Sequence, residues 1–150
     1  MKFDSEAIVS GLRVADKKQL FEIISEQLAH VYGVDSQLCH AVLMDREAIG
    51  STGFGRGIAI PHGRIDGISR PVGLFVQLDQ PLDYSAVDAE PVDLVWALLS
   101  PQQGGADHLR ALAHISRLMR DDALVSRVRG ARELDAIHAL LGEQLRRDAA

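Results

Sequence analysis

Between positions 50 and 64 the chain reads Gly50-Ser51-Thr52-Gly53-Phe54-Gly55-Arg56-Gly57-Ile58-Ala59-Ile60-Pro61-His62-Gly63-Arg64. The glycines at 50, 53, 55 and 57 permit positive φ and close backbone approach, so this stretch is expected to be a loop and not a helix. Ile58-Ala59-Ile60 is a short β-prone segment. Pro61 has no N–H to donate and is expected to stop the ladder there. His62 then stands on a stiff backbone with little bulk on its C-terminal side, which suits a reactive or ligating imidazole. A P-loop would need a Lys-Ser or Lys-Thr pair after the glycines, and none follows. A dinucleotide fingerprint needs its glycines between a strand and a helix, whereas these precede the strand. Two readings remain: a loop that shapes access to one histidine, or a tight turn in which His62 is an ordinary residue.

The flanking segments are patterned. Met1 to Ala15 is expected to be an irregular or short helical lead-in. Asp16, with Gln19 three residues on, marks a helix start, and Leu20, Ile24, Leu28 and Val31 recur at helical spacing up to Gly33. A second helix is expected from Asp35 or Ser36, with Leu38, Val42 and Ala41 inward and Arg46-Glu47 at its C-terminal end. Arg46 suits a helix C-terminus as a cation, and it also stands at the mouth of the glycine loop, where a guanidinium can meet a phosphoryl oxygen. Val72–Leu78 and Val92–Leu99 read as strands bracketed by prolines, joined by an acidic connection over 79–91. The lone tryptophan, Trp96, is expected in the core. After Pro101-Gln102-Gln103-Gly104-Gly105, a flexible loop, a helix capped by Asp107 is expected to carry an apolar stripe of Leu109, Leu112 and Met119. His108 falls in its first turn, where free N–H groups attract anions. Asp121 or Asp122 should cap a short helix through Arg129 that Gly130 breaks, and Glu133–Leu145 should form the last. His30 and His138 read as structural or exposed.

Arg46-Glu47, Gly50-Ser51-Thr52-Gly53, Gly55 and, above all, Gly57-Ile58-Ala59-Ile60-Pro61-His62-Gly63 resemble the enzyme IIA domain of the bacterial phosphotransferase system, in its fructose/mannitol class and most of all its nitrogen-regulatory type. The resemblance continues through 73–78, 91–95 and Asp107-His108-Leu109, and so runs nearly the whole chain. It implies one type-2 EIIA domain over residues 1–150, an α/β fold with a single mixed β-sheet and helices packed on both faces. It also implies a phosphocarrier that accepts a phosphoryl group on His62 from an HPr-type phosphohistidine protein and signals by its phosphorylation state. Arg46 would be a charge clamp and His108 a hydrogen-bond donor to the phosphoryl group. The family places the phosphate on Nε2, a choice the residues alone do not make. Regulatory targets would be proteins such as transporters or sensor kinases. A sugar-specific IIA component passing phosphate to a IIB domain is the alternative within the class.

The chemistry suits those groups. Neutral imidazole is a nucleophile near pH 7, its phosphoramidate passes the phosphoryl group onward, and transfer between histidines needs mainly alignment and charge stabilisation. Phe54, an aromatic between two glycines, is the candidate anchor for a docking donor, or else a lid on the core. The net charge of −5 argues against broad nucleic-acid binding or attachment to anionic membranes. A lone cysteine, Cys39, excludes an internal disulfide, fits a reducing cytoplasm and reads as a buried thiol. No apolar run reaches membrane length. No cofactor is implied. No H-E-x-x-H occurs, so a metal hydrolase would have only His62 and His108, half of a zinc site. A purely structural adaptor would leave the glycine loop without a role.

Overall fold

The protein, described as a computed structural model for residues 3–4, 6–86 and 88–149, has eleven elements in chain order. They are β1 (Ile8–Leu12), α1 (Lys17–Tyr32), α2 (Ser36–Ile49), β2 (Gly53–Gly55), β3 (Ile58–Ala59), β4 (His62–Ile65), β5 (Val72–Leu82), β6 (Val92–Pro101), α3 (Asp107–Arg120), α4 (Asp122–Gly130) and α5 (Leu134–Ala149). The strands form one sheet in the order β1-β5-β6-β3-β2, with β4 also on β6. It is mixed: β1 runs parallel to β5, β5 antiparallel to β6, and β3 and β4 parallel to β6.

Period-two alternation divides β5 and β6 between two cores. Leu74, Val76, Val95, Ala97 and Leu99 pack with Leu20, Phe21, Ile24, Leu28, Cys39 and Leu43 of α1 and α2. Phe75, Leu94, Trp96 and Leu98 pack with Ile115, Leu118, Val128, Ile137 and Leu141 of α3 to α5. Strands buried on both faces read as continuous apolar runs, which is how 72–78 and 92–99 appear in the sequence. Trp96 is fully buried, as expected, and stacks edge-on to Phe75 at 5.7 Å between ring centroids.

The helix ends follow their cap signals. Asp16 accepts from the Gln19 N–H at 2.8 Å, and Gly33 closes α1 with φ 77° and its N–H on the Ala29 carbonyl. Asp35 and Asp121 cap α2 and α4 through Leu38 and Leu124. Other expectations give way. The lead-in contains a strand, β1, whose edge position against β5 is a tertiary pairing that local propensity does not reveal; residues 1, 2 and 5 lie outside the described residues. The inward side of α2 is Cys39 and Leu43, while Leu38 is 44% exposed and Ala41 faces solvent. β5 continues past Asp79 through Pro81 to Leu82, with a register shift between Gln77 and Leu82 that absorbs the missing N–H. Position 87, in the acidic connection, lies outside the described residues. Asp107 opens α3 but does not cap it, because Ala106 holds the cap position without a side-chain bond. Leu109 points outward at 65% exposure; the inward stripe is His108, Ala111, Ile115, Leu118 and Met119.

Candidate functional site

The glycine stretch folds as a small hairpin and not as an open loop. β2 pairs antiparallel with β3, and Gly55 opposes Ile58. The two residues between them, Arg56 and Gly57, have φ of 58° and 82°. Two consecutive positive φ values are what a two-residue hairpin turn with strand-matched twist requires, and Gly57 adopts its value without strain. Arg56 bonds outward from the turn to Asp122 and to the Met119 carbonyl, the latter at 2.7 Å, tying the hairpin to the ends of α3 and α4.

Pro61 does not end the strand. β3 and β4 lie end to end along the same edge of β6, and Pro61 costs that ladder one donor while its carbonyl still accepts from Leu98 N–H at 2.9 Å. Backbone groups alternate in direction along a strand, so the Ile60 carbonyl points away from β6. The imidazole of His62 folds back onto that carbonyl, with Nδ1 to O at 2.7 Å. A carbonyl can only accept, so Nδ1 carries the proton and Nε2 keeps a free lone pair. Burial lowers the His62 pKa below its usual value of 6.5 and the Ile60 bond partly offsets it; Arg46 lowers it further and Glu47 raises it. The neutral ring is therefore the form present near pH 7.

The register of β4 on β6 sets what faces what. His62 opposes Leu98 and Arg64 opposes Ser100, so both side chains lie on the face that α3 covers. Gly63 and Ile65 face the other way, and a Cβ on Gly63 would stand 2.3 Å from Cγ1 of Val42 in α2. Only glycine allows that approach. His108, at the start of the buried stripe of α3, comes within 5.7 Å of His62 between ring centroids, tilted by 43°. Its Nδ1 lies 2.7 Å from Ser100 Oγ. Burial, then the proximity of His62 and Arg64, lowers the His108 pKa to about 4, so this ring is neutral too.

Arg46 and Phe54 are each held by neighbouring groups. The Arg46 guanidinium donates to the Gly50 carbonyl at 2.8 Å, a cation closing the C-terminal end of α2, and its charge reaches His62. Phe54 is half-buried against the core beneath α3, with the Arg120 guanidinium 5.4 Å from its ring centroid.

Several supporting residues, Glu47 and Thr52 of the motif among them, have roles that no local sequence signal assigns. Glu47, at 6% side-chain exposure, accepts from Lys17 Nζ at 2.8 Å, from Thr52 N–H at 3.1 Å and from the Thr52 hydroxyl. Because the Thr52 hydroxyl donates to that carboxylate, the Tyr84 hydroxyl donates in turn to Thr52 Oγ1 at 2.8 Å. Thr52 O accepts from Ile60 N–H, so this buried network holds the segment leading to His62. Arg64 donates to the carbonyls of Gly105 (3.1 Å) and Pro101 (3.4 Å), which fastens the glycine-containing loop ahead of His108. The flexibility expected of that loop is thereby restrained. Among the described residues no group of three or more His, Cys, Asp or Glu could hold a metal ion.

The family model described as phosphoenolpyruvate-dependent sugar phosphotransferase system, EIIA 2, matches residues 1–144. The chain belongs to this EIIA family. A nitrogen regulatory protein of Bradyrhizobium diazoefficiens is 42% identical over 136 residues, covering 91% of this chain and 89% of the relative. The nitrogen regulatory protein of Escherichia coli is 36% identical over 137 residues, covering 91% and 84%. Among solved structures, the nitrogen regulatory protein IIA-Ntr from Neisseria meningitidis superimposes with a TM-score of 0.86 at 29% identity, covering 93% of this chain and 95% of that one. The single mixed sheet with helices on both faces is therefore the EIIA fold, as the resemblance implied. In this EIIA chain no helix among the described residues is long and apolar enough to cross a membrane.

Proposed function

We propose that this EIIA chain is a phosphocarrier of the nitrogen-regulatory type, which accepts a phosphoryl group on Nε2 of His62 from an HPr-type phosphohistidine donor and signals through its phosphorylation state. The observation that carries this reading is the bond from His62 Nδ1 to the Ile60 carbonyl, which leaves Nε2 unprotonated and directed away from its own backbone. In the transfer, the Nε2 lone pair forms the new N–P bond as the donor's P–N bond breaks, and the bonding pair returns to the donor's ring nitrogen. No proton needs to move, since Nδ1–H of His62 is in place beforehand. His108 donates to a phosphoryl oxygen and Arg46 supplies opposing charge, which are the alignment and charge stabilisation such a transfer requires.

Relatives that cover about nine tenths of the chain are nitrogen regulatory proteins, which favours the regulatory branch over a sugar-specific IIA. The phosphorylated and unphosphorylated forms would address different partners, of the transporter or sensor-kinase kind, in the cytoplasm. The donor docks over the site, with exposed Leu109 beside His108 and Phe54, in the hairpin that leads to β4, as the aromatic anchor. Incubation with a phosphorylated HPr-type donor, followed by intact mass and acid-lability measurements, tests the reading. One acid-labile phosphoryl group is expected on the wild type and none on His62→Ala. Stoichiometric labelling of His62→Ala at another histidine would overturn it.

A further inference from the structure

His108 can assist a phosphoryl group only in one tautomer. A ring protonated at Nε2 donates toward the group, whereas a ring protonated at Nδ1 presents a lone pair to negatively charged oxygens and repels them. Burial keeps this imidazole neutral, so the choice between the two tautomers falls to whatever bonds Nδ1. That partner is Ser100, a fully buried serine on β6, with Oγ 2.7 Å from Nδ1.

The direction of the bond follows from what surrounds the hydroxyl. Among the described residues Ser100 Oγ makes no other side-chain hydrogen bond. If Nδ1–H donated to Oγ, the serine O–H would be left buried without an acceptor, and an unsatisfied buried donor is the costly case. If the serine O–H donates to Nδ1, its proton is satisfied and only acceptor capacity is left unused. Nε2 of His108 then carries the proton; it has no partner among the described residues and is not sealed from solvent. The two rings are complementary. His62 is protonated at Nδ1 with a bare Nε2, and His108 is bare at Nδ1 with a protonated Nε2.

We infer that Ser100 is a positioning residue for phosphoryl transfer: its buried hydroxyl donates to Nδ1 of His108 and holds that ring as the Nε2–H tautomer facing the site of His62. The inference rests on His62 as the acceptor, but its first measurement does not. In the unphosphorylated protein labelled with ¹⁵N-histidine, long-range ¹H–¹⁵N spectra at neutral pH should show His108 Nδ1 as a bare nitrogen and Nε2 as a protonated one. Ser100→Ala should lose this signature, with the ring moving to a mixture of tautomers or to Nδ1–H, and should slow phosphoryl acceptance from an HPr-type donor on the order of tenfold. Its folding is checked by melting temperature. Ser100→Thr keeps the hydroxyl and should restore both readouts. A wild-type ring protonated at Nδ1 would overturn the inference, as would a Ser100→Ala variant with an unchanged tautomer or an unchanged rate. If His62→Ala were still labelled, the acceptor assignment would fail while the tautomer measurement continued to report on Ser100 alone.

Discussion

Single atoms decide much at the residue scale. The hydrogen of Gly63 lets α2 lie against β4, and a methyl there would meet Val42 Cγ1 at 2.3 Å. Gly63→Ala should therefore lower stability by about 1–3 kcal/mol through overpacking. Combining it with Val42→Ala should recover part of the loss, as measured by chemical denaturation. His108 ties stability to pH. Its folded pKa of about 4 lies below the ordinary 6.5, so between those values the unfolded chain binds more protons than the folded one. Stability should then be fully present above pH 6.5 and should fall as the pH drops towards 4. In His108→Gln the melting temperature should decline less steeply across that window. An unchanged slope would mean that other groups govern acid unfolding.

At the scale of elements, the candidate site is an agreement between three backbones. β4 supplies His62, the first turn of α3 supplies His108, and β6 supplies Ser100, which bonds His108. Arg64 fastens the loop between β6 and α3 through the carbonyls of Pro101 and Gly105. Its positive charge is also one of the influences that lower the His108 pKa, after burial and His62. Arg64→Met keeps the aliphatic stem but removes both effects. The His108 pKa should rise in an NMR titration, and amide exchange over 101–106 should quicken. Phosphoryl acceptance should slow by roughly threefold to tenfold, the equivalent of about 0.7–1.4 kcal/mol. Unchanged exchange in the loop would show that its own turn bonds, such as Asp107 N–H to the Gly104 carbonyl, are sufficient.

Across the whole molecule, two apolar cores share one sheet. Leu28 lies in the core under α1 and α2, and Ile115 in the core under α3 to α5. Truncation of either to alanine should cost about 2–5 kcal/mol. Because the side chains belong to different clusters on opposite faces of the sheet, the two losses should add to within about 0.5 kcal/mol. β5 and β6 contribute to both cores, so unfolding should nevertheless remain one transition. Trp96 fluorescence, which reports on one core, and far-UV circular dichroism, which reports on all elements, should give coincident midpoints. Separate midpoints would mean that the cores unfold independently.

Local chemistry in the sequence determined the helix start at Asp16, those at Asp35 and Asp121 to within one residue, the stop at Gly33, the two buried central strands and the histidine that follows Ile58-Ala59-Ile60-Pro61, because caps, apolar runs and proline act within a few residues of chain. Long-range pairing decided the rest. β1 is a strand because β5 offers it an edge, and β4 continues beyond Pro61 because β6 runs alongside. Leu109 turns outward and His108 inward because α3 packs on the sheet through Ile115 and Leu118, a phase that a two- or three-residue apolar pattern leaves open. The protonation of His62 was illegible in sequence for the same reason. It depends on which carbonyl the folded strand turns toward the ring, and that carbonyl is exposed to it only because the sheet's other bonds are already made.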